Sequence, residues 1–426
     1  MNLAVVLEYR FYRSGEGGFW TDSAFATSFW DRFLEVFETV RVVARCRQVP
    51  SASLEWKRVD GERIAFGMTP YYVGLFQYLV RAWQVREALV NHVTVKDAVI
   101  LRAPSHLANI LADVLERRQQ PYGIEVVGDP YDVFAPGAVK HPLRFFFRWW
   151  FSRQLRRQCL GACGVAYVTQ YALQKRYPPS ELSFTSSYSS VELTTSAFRP
   201  TPTFGAFTFA TYFSDVELSH SAFRSMSLPR FTLGAHTFTL ITVASLEQMY
   251  KGTDILIDAV AIAVREGLDL RLIVVGDGKH QPKLAARAAR KGLGERVKFI
   301  GRLPAGEPVR RQLDMAHLFV LPSRTEGMPR AMIEAMARGL PCIGTMVGGI
   351  PELIPPEDMV PPNDALLLAR KIHEVLSNPD RIVEMGQRNL CKARHYREEV
   401  LRERRQTFYR HVRRKTEEWQ KAKGIF

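Results

Sequence analysis

Short apolar runs rich in Val, Ile and Leu alternate along this chain with longer segments of helical periodicity, and that alternation limits the fold more than any other feature. It predicts parallel sheets covered by helices. In the first half the clearest strands are 3–7, 98–101, 124–127 and 165–169, and in the second they are 238–244, 270–275, 297–300, 318–321 and 341–343. Helical patterns fit between the later strands at 253–265, 281–291, 307–316 and 329–338, and another runs over 23–40 near the start. At 426 residues the chain exceeds what one hydrophobic core organises, so two α/β domains are expected.

Between the halves the composition shifts. From 183 to 237 Ser, Thr, Phe and Ala dominate and charges are few. Tyr188-Ser-Ser-Val-Glu-Leu followed by Ser196-Ala-Phe-Arg returns as Phe213-Ser-Asp-Val-Glu-Leu followed by Ser221-Ala-Phe-Arg. Two copies are too few for a solenoid, so the near-repeat reads as a duplicated junction element of strand and turn. The expected boundaries are an N-terminal domain over 1–182, the junction over 183–237, a C-terminal domain over 238–394 and a basic C-terminal helix over 395–426.

With hydrophobic residues at 46% and charged residues at 24%, the chain has a globular balance. No apolar run is long enough to span a bilayer, and the N-terminus lacks the pattern of a secretory signal, so a cytoplasmic protein is expected. The scattered cysteines, Cys46, Cys159, Cys163, Cys342 and Cys391, suit small buried side chains better than disulfides or a metal site. The formal charge of +15 is concentrated in two places. Between Val133 and Ser180 there is no acidic residue, while from Arg388 onward thirteen Lys and Arg face five Glu. In the first of these segments Phe145, Phe146, Phe147, Trp149, Trp150 and Phe151 are interleaved with Arg144, Arg148, Arg153, Arg156 and Arg157. Aromatic rings at the headgroup level and arginines against anionic lipid suit peripheral attachment to a membrane. No nucleic-acid-binding motif is recognisable.

The richest chemistry lies in Pro322-Ser-Arg-Thr-Glu-Gly-Met-Pro-Arg-Ala-Met-Ile-Glu-Ala-Met-Ala-Arg-Gly-Leu-Pro341. It follows a strand, Pro329 suits the first position of a helix, and Gly339 and Pro341 stop it. Glu326 then falls in the loop at the helix mouth and Glu334 within the helix near its start. A helix N-terminus offers unpaired N–H groups and positive potential, which suits a diphosphate. Two carboxylates beside it can accept hydrogen bonds from the hydroxyls of a sugar and a ribose. Lys251 lies on the turn between another strand and its helix and can meet phosphate as a point charge. Gly276-Asp-Gly278 ends a strand where backbone can approach a ligand, and Gly15-Glu-Gly17-Gly18 is a second candidate phosphate or acceptor loop.

Lys251-Gly, Gly276-Asp-Gly278, Gly301-Arg-Leu, Pro322-Ser-x-x-Glu-Gly and Gly348-Gly-Ile-Pro-Glu352 occur in the order and spacing of the family-4 retaining glycosyltransferases, which the chain resembles strongly over 238–376 and more weakly over the first 182 residues. The resemblance implies a GT-B fold, two Rossmann-like domains facing a central cleft, with the C-terminal helix returning to the N-terminal domain. It implies a nucleotide-diphosphate sugar as donor, UDP or GDP linked, with no cofactor and no metal. Glu334 would hold the ribose, Glu326 the sugar hydroxyls, Lys251 the diphosphate, the Gly327-Met328 backbone the diphosphate and sugar, and Arg302 and Leu303 the base. Where the family usually has Arg six positions before the Lys, this chain has Ser245, and Arg330 is the candidate replacement. The acceptor-side base or orienting group is expected in the first half, with Asp129 and His106 as candidates. The acceptor itself is expected to be lipid-linked. Competing readings are a sugar-nucleotide epimerase or phosphorylase of the same fold, and a non-catalytic basic adaptor. The latter would have no use for the Glu326 and Glu334 pair.

Overall fold

The computed structural model describes residues 1–23, 25–134, 142–189, 193–198, 203–204, 207–208 and 237–425, and most of the tandem near-repeat lies outside them. The chain divides into two compact units, one built from its start, through 189, together with the C-terminal stretch from Glu399, the other from the intervening residues.

In the first unit the strands are β1 (Asn2–Ser14), β2 (Phe19–Thr21), β3 (Thr39–Val49), β4 (Lys57–Arg58), β5 (Ile64–Thr69), β6 (Ala98–Ala103), β7 (Gly123–Val126), β8 (Gly164–Tyr167) and β9 (Phe184–Ser187). Parallel pairing gives the order β5-β3-β1-β6-β7-β8-β9, with β2 and β4 added antiparallel beyond the far end of β1. The helices are α1 (Thr27–Leu34), α2 (Gly74–His92), α3 (His106–Arg118), α4 (Pro130–Val133), α5 (Arg144–Gly161) and α6 (Ala172–Arg176). Leu3, Ala4, Val5 and Val6 are fully buried, as expected of a central strand covered on both faces.

Two expectations fail here for one reason. β1 does not end at Leu7 but continues to Ser14, because beyond the core its residues still find partners: Phe11 is buried and Tyr12 stacks on Trp56 at 4.0 Å. Gly15, Gly17 and Gly18 therefore form the turn of the β1–β2 hairpin rather than a strand-to-helix loop. The helical pattern over 23–40 yields only α1; Val36 and Phe37 bury in the turn that follows and β3 starts at Thr39. Arginines within β3 disguise it as polar, yet Arg41 pairs with Asp97 and Arg45 with Glu8.

The second unit contains the short pair β10 (Thr203–Phe204) and β11 (Phe207–Thr208) and a sheet of β12 (Phe238–Val243), β13 (Leu270–Val275), β14 (Val297–Gly301), β15 (Leu318–Leu321), β16 (Cys342–Thr345) and β17 (Met359–Val360). Its order is β14-β13-β12-β15-β16-β17, all parallel. The helices are α7 (Thr253–Arg265), α8 (Gln281–Arg290), α9 (Glu307–Asp314), α10 (Arg330–Ala337), α11 (Ala365–Leu376) and α12 (Pro379–Ala393). Leu256, Ile257 and Val260 of α7 bury against the sheet with Leu368 and Ile372 of α11, at about 1.5 to 3 kcal/mol for each aliphatic side chain.

A final helix, α13 (Glu398–Lys423), turns Leu401, Phe408, Tyr409 and Val412 inward in the first unit. Gly123 and Gly164 leave room for it, since a Cβ on Gly123 would stand 2.6 Å from Val412 and one on Gly164 3.2 Å from Phe408. Of the five cysteines, all unbonded, Cys46, Cys159 and Cys342 are buried as expected, but Cys391 is exposed.

Candidate active site

Each parallel sheet reverses its strand order beside its first strand, and at that point the loops leaving the carboxyl ends of the strands diverge and leave a crevice. In the second unit the reversal falls between β12 and β15. Lys251 lies on the loop after the first and Glu326 on the loop after the second.

The two loops are held together by backbone. Gly252 takes φ +72°, and a Cβ there would stand 1.9 Å from the carbonyl oxygen of Pro322. Arg324 adds side-chain ties: its Nη1 and Nη2 each donate to one oxygen of Asp254 at 2.9 Å, its Nε donates to Asn363 at 2.6 Å, and its backbone N–H donates to the Tyr250 carbonyl at 2.7 Å. The result is that Lys251 Nζ sits 2.6 Å from Glu326 Oε1, the same oxygen that accepts from Ser323 Oγ at 2.8 Å. Thr345 fixes Ser323 in turn through its carbonyl, at 2.6 Å. Gly252→Ala is expected to cost more than about 1 kcal/mol, because the backbone it clashes with cannot rotate away. Thermal denaturation beside Gly267→Ala checks this; Gly267 also has positive φ but nothing within 4 Å, so equal losses would contradict the close approach.

On the other side of Glu326 the Gly348-Gly349 turn presses in. Gly348 takes φ +54° with its missing Cβ only 1.8 Å from the Glu326 carbonyl oxygen, and Gly349 N–H donates to Gly327 O at 2.8 Å. Gly327 itself faces open space. Pro329 caps α10 rather than opening it, one position earlier than the sequence suggests. The N–H groups of Gly327, Met328, Arg330 and Ala331 donate to no acceptor among the described residues. Free N–H groups at a helix mouth suit an anion. Glu334 lies a turn inside α10, half-buried, and has no hydrogen bond or ion pair among the described residues. Burial pushes its carboxyl above the usual range, partly offset by the charges of Arg330 and Arg310.

The remaining candidates on this unit line neighbouring strand ends. Gly276 and Gly278 have a structural reason for being glycine that the sequence did not suggest: Cβ atoms there would stand 1.9 Å from Ala244 O and 2.1 Å from Glu247 N, so the backbone they admit is the chain's own. Ser245, exposed between them, accepts from Glu247 N–H. Arg302 is exposed and Leu303 half-buried after β14.

In the first unit the reversal falls between β1 and β6, and His106 opens α3 there. Its ring stacks on Tyr78 at 4.9 Å and meets Phe151 edge-on at 4.7 Å. Burial lowers its pKa, while the nearby Glu8 carboxylate acts to raise it. Glu8 sits where the β1–β3 register shifts, and it gathers Arg45 at 3.0 Å, Tyr72 OH at 3.0 Å, Ser105 Oγ at 3.2 Å and Leu107 N–H at 3.2 Å. The sequence reading missed Glu8 and Arg45; the available signal was a carboxylate one residue past the apolar run. Asp129 is engaged differently. It caps α4 and is bound by Tyr131 N–H at 2.9 Å, Tyr177 OH at 2.6 Å and Arg176, so both oxygens are taken up in structure, whereas His106 has no such ties among the described residues.

Residues 237–378 match the family model described as glycosyl transferases group 1. The chain is 24% identical to Protein CapJ of Staphylococcus aureus over 358 residues, covering 82% of this chain and 80% of that one. It is 35% identical over 142 residues to the putative colanic acid biosynthesis glycosyltransferase WcaL of Escherichia coli, covering 31% of this chain and 34% of that one. The solved structure of HepE from Anabaena in complex with UDP and glucose superposes with TM-score 0.60 at 16% identity, over 95% of this chain and 97% of that one. Two reversed parallel sheets, the loops that meet at Lys251 and Glu326, and these likenesses lead to one assignment: the chain has the GT-B fold, and its residues 237–378 match the group 1 glycosyl transferases.

Proposed function

We propose that the enzyme moves a hexose, with retention of anomeric configuration, from a UDP or GDP sugar to a lipid-linked acceptor at the cytoplasmic face of a membrane. The observation that carries the donor half is the Lys251–Glu326 pair at the mouth of α10 beside four free N–H groups. Lys251 and the amides would hold the diphosphate and stabilise the charge that grows on it as it departs. Glu326 would receive sugar hydroxyls, and the carboxylate of Glu334, unpaired among the described residues, the ribose. Arg302 and Leu303 would line the base, Arg330 would stand in for the cation that Ser245 lacks, and His106 would orient the acceptor hydroxyl. HepE is a GT-B neighbour whose complex contains UDP and glucose, which supports a nucleotide sugar here.

A thermal-shift screen of UDP, GDP and ADP sugars tests the reading, because a ligand bound only by the folded chain raises its melting temperature. A shift with one nucleotide class is expected; none with any would contradict it. Since the leaving diphosphate is assigned to Lys251 and backbone amides, transfer is expected to survive EDTA. Loss on chelation, restored by magnesium or manganese, would contradict that assignment.

A further inference from the structure

The sequence directs attention to α5 as a membrane contact, and there Phe145, Phe146 and Trp149 are each more than half exposed. The structure reveals a second apolar face that the sequence conceals. On α2, Phe76 is 80% exposed, Leu79 61%, Val80 70% and Trp83 76%. Their spacing of three, four and seven places them on one side of the helix. Val85 and Leu89 are fully buried, so the helix is apolar on two faces and only one is covered by the first unit. Tyr78 of α2 and Phe151 of α5 both meet the His106 ring, so the two helices with uncovered faces flank the acceptor-side candidate.

Charge argues for what covers them. Several arginines of α5 are already engaged: Arg148 donates to the Tyr131 carbonyl, Arg156 to the Arg176 carbonyl, and Arg157 pairs with Asp113 and Glu116. Arg144 lies over the Phe145 ring and Arg153 over that of Trp149, and neither has an ion pair among the described residues. Between Val133 and Ser180 no acidic side chain exists to receive them, so a second copy docking through this face would set arginine against arginine. An anionic bilayer supplies both counter-charge and an apolar interior.

We propose that α2 and α5 together form a bilayer-docking surface, α2 inserting Phe76, Leu79, Val80 and Trp83 while Arg144 and Arg153 meet anionic headgroups. The acceptor is then an amphiphile whose apolar part stays in the bilayer while its hydroxyl reaches His106. This rests on the transferase reading for what His106 does, but the docking itself is read independently of transfer.

The test is sedimentation of the full chain with phosphatidylglycerol-containing and pure phosphatidylcholine vesicles, with light scattering for mass and the nucleotide-sugar thermal shift as a check on the fold. The wild type is expected to bind anionic vesicles in a salt-sensitive way. Phe76→Glu with Trp83→Glu is expected to weaken this by about a hundredfold and Trp83→Ala by about tenfold, with the nucleotide response intact. Arg144→Glu with Arg153→Glu is expected to remove the preference for anionic lipid. Vesicle binding unchanged in both α2 variants would overturn the proposal. So would a wild-type dimer that the α2 variants convert to monomer without any vesicle binding, which would make a second copy the occupant. Failure of every nucleotide to shift the melting temperature would instead count against the transferase reading.

Discussion

Glu334→Gln is expected to melt at a higher temperature than the wild type near neutral pH while binding the donor nucleotide roughly ten- to a hundredfold more weakly. Both effects come from one cause. The carboxyl is half-buried without a partner among the described residues, and burial holds its pKa above the ordinary range. A folded-state pKa above the unfolded one means that the native chain binds the proton more readily, so this group's contribution falls as pH rises from the unfolded glutamate range, about 4.3, through the folded value. Above that the charge is an unfavourable occupant of its site, and Gln removes it. The gain should therefore vanish near pH 4, where the wild-type group is protonated. The loss of affinity follows from replacing a charged acceptor of ribose hydroxyls by a neutral amide. Melting curves at several pH values, with and without nucleotide, check the pair of effects. A variant less stable than wild type, or one binding as well, would show that Glu334 is an ordinary helix residue.

The second large effect is on stability. Glu125, on β7, is buried and receives Tyr188 OH at 2.8 Å, Tyr409 OH at 3.0 Å and the Arg102 guanidinium. Arg102 is itself largely buried, with its guanidinium over the Phe29 ring at 5.2 Å. Glu125→Ala strands that cation and two buried hydroxyls, at an expected cost of about 3 to 5 kcal/mol. Tyr409→Phe deletes one hydroxyl and keeps the ring, so about 1 kcal/mol is expected. Urea unfolding checks both; a cost for Glu125→Ala no larger than that of Tyr409→Phe would show that the cation is not held by this carboxylate.

How much of this was legible depended on how local the cause was. β13 and β15 and helix α7 begin and end where the sequence places them, since a continuous apolar run or an amphipathic helix closed by a charged turn needs no distant partner. β3 was hidden because its arginines are neutralised by Asp97 and Glu8, far off in sequence. The Gly15 turn looked like a strand-to-helix loop until Tyr12 and Phe11 found Trp56 and Phe66 and carried the strand on. At the candidate donor site the motif around Glu326 was plain, but Arg324 inside it was not. Its role lies in Asp254, Asn363 and the Met249–Lys251 turn, which only folding brings near. Gly276 and Gly278 teach the converse: a glycine pair that reads as a ligand loop is required by the neighbouring backbone.

The central claim is that a nucleoside-diphosphate sugar binds at the mouth of α10 between Lys251 and Glu326. It is tested most directly by calorimetric titration of UDP and GDP sugars onto the wild type, Glu326→Ala and Lys251→Ala. One nucleotide class is expected to bind the wild type, with affinity roughly ten- to a hundredfold lower in each variant, as for the loss of a charge-assisted contact worth about 1.5 to 3 kcal/mol. Equal affinity in all three folded proteins would place the donor elsewhere and contradict the account.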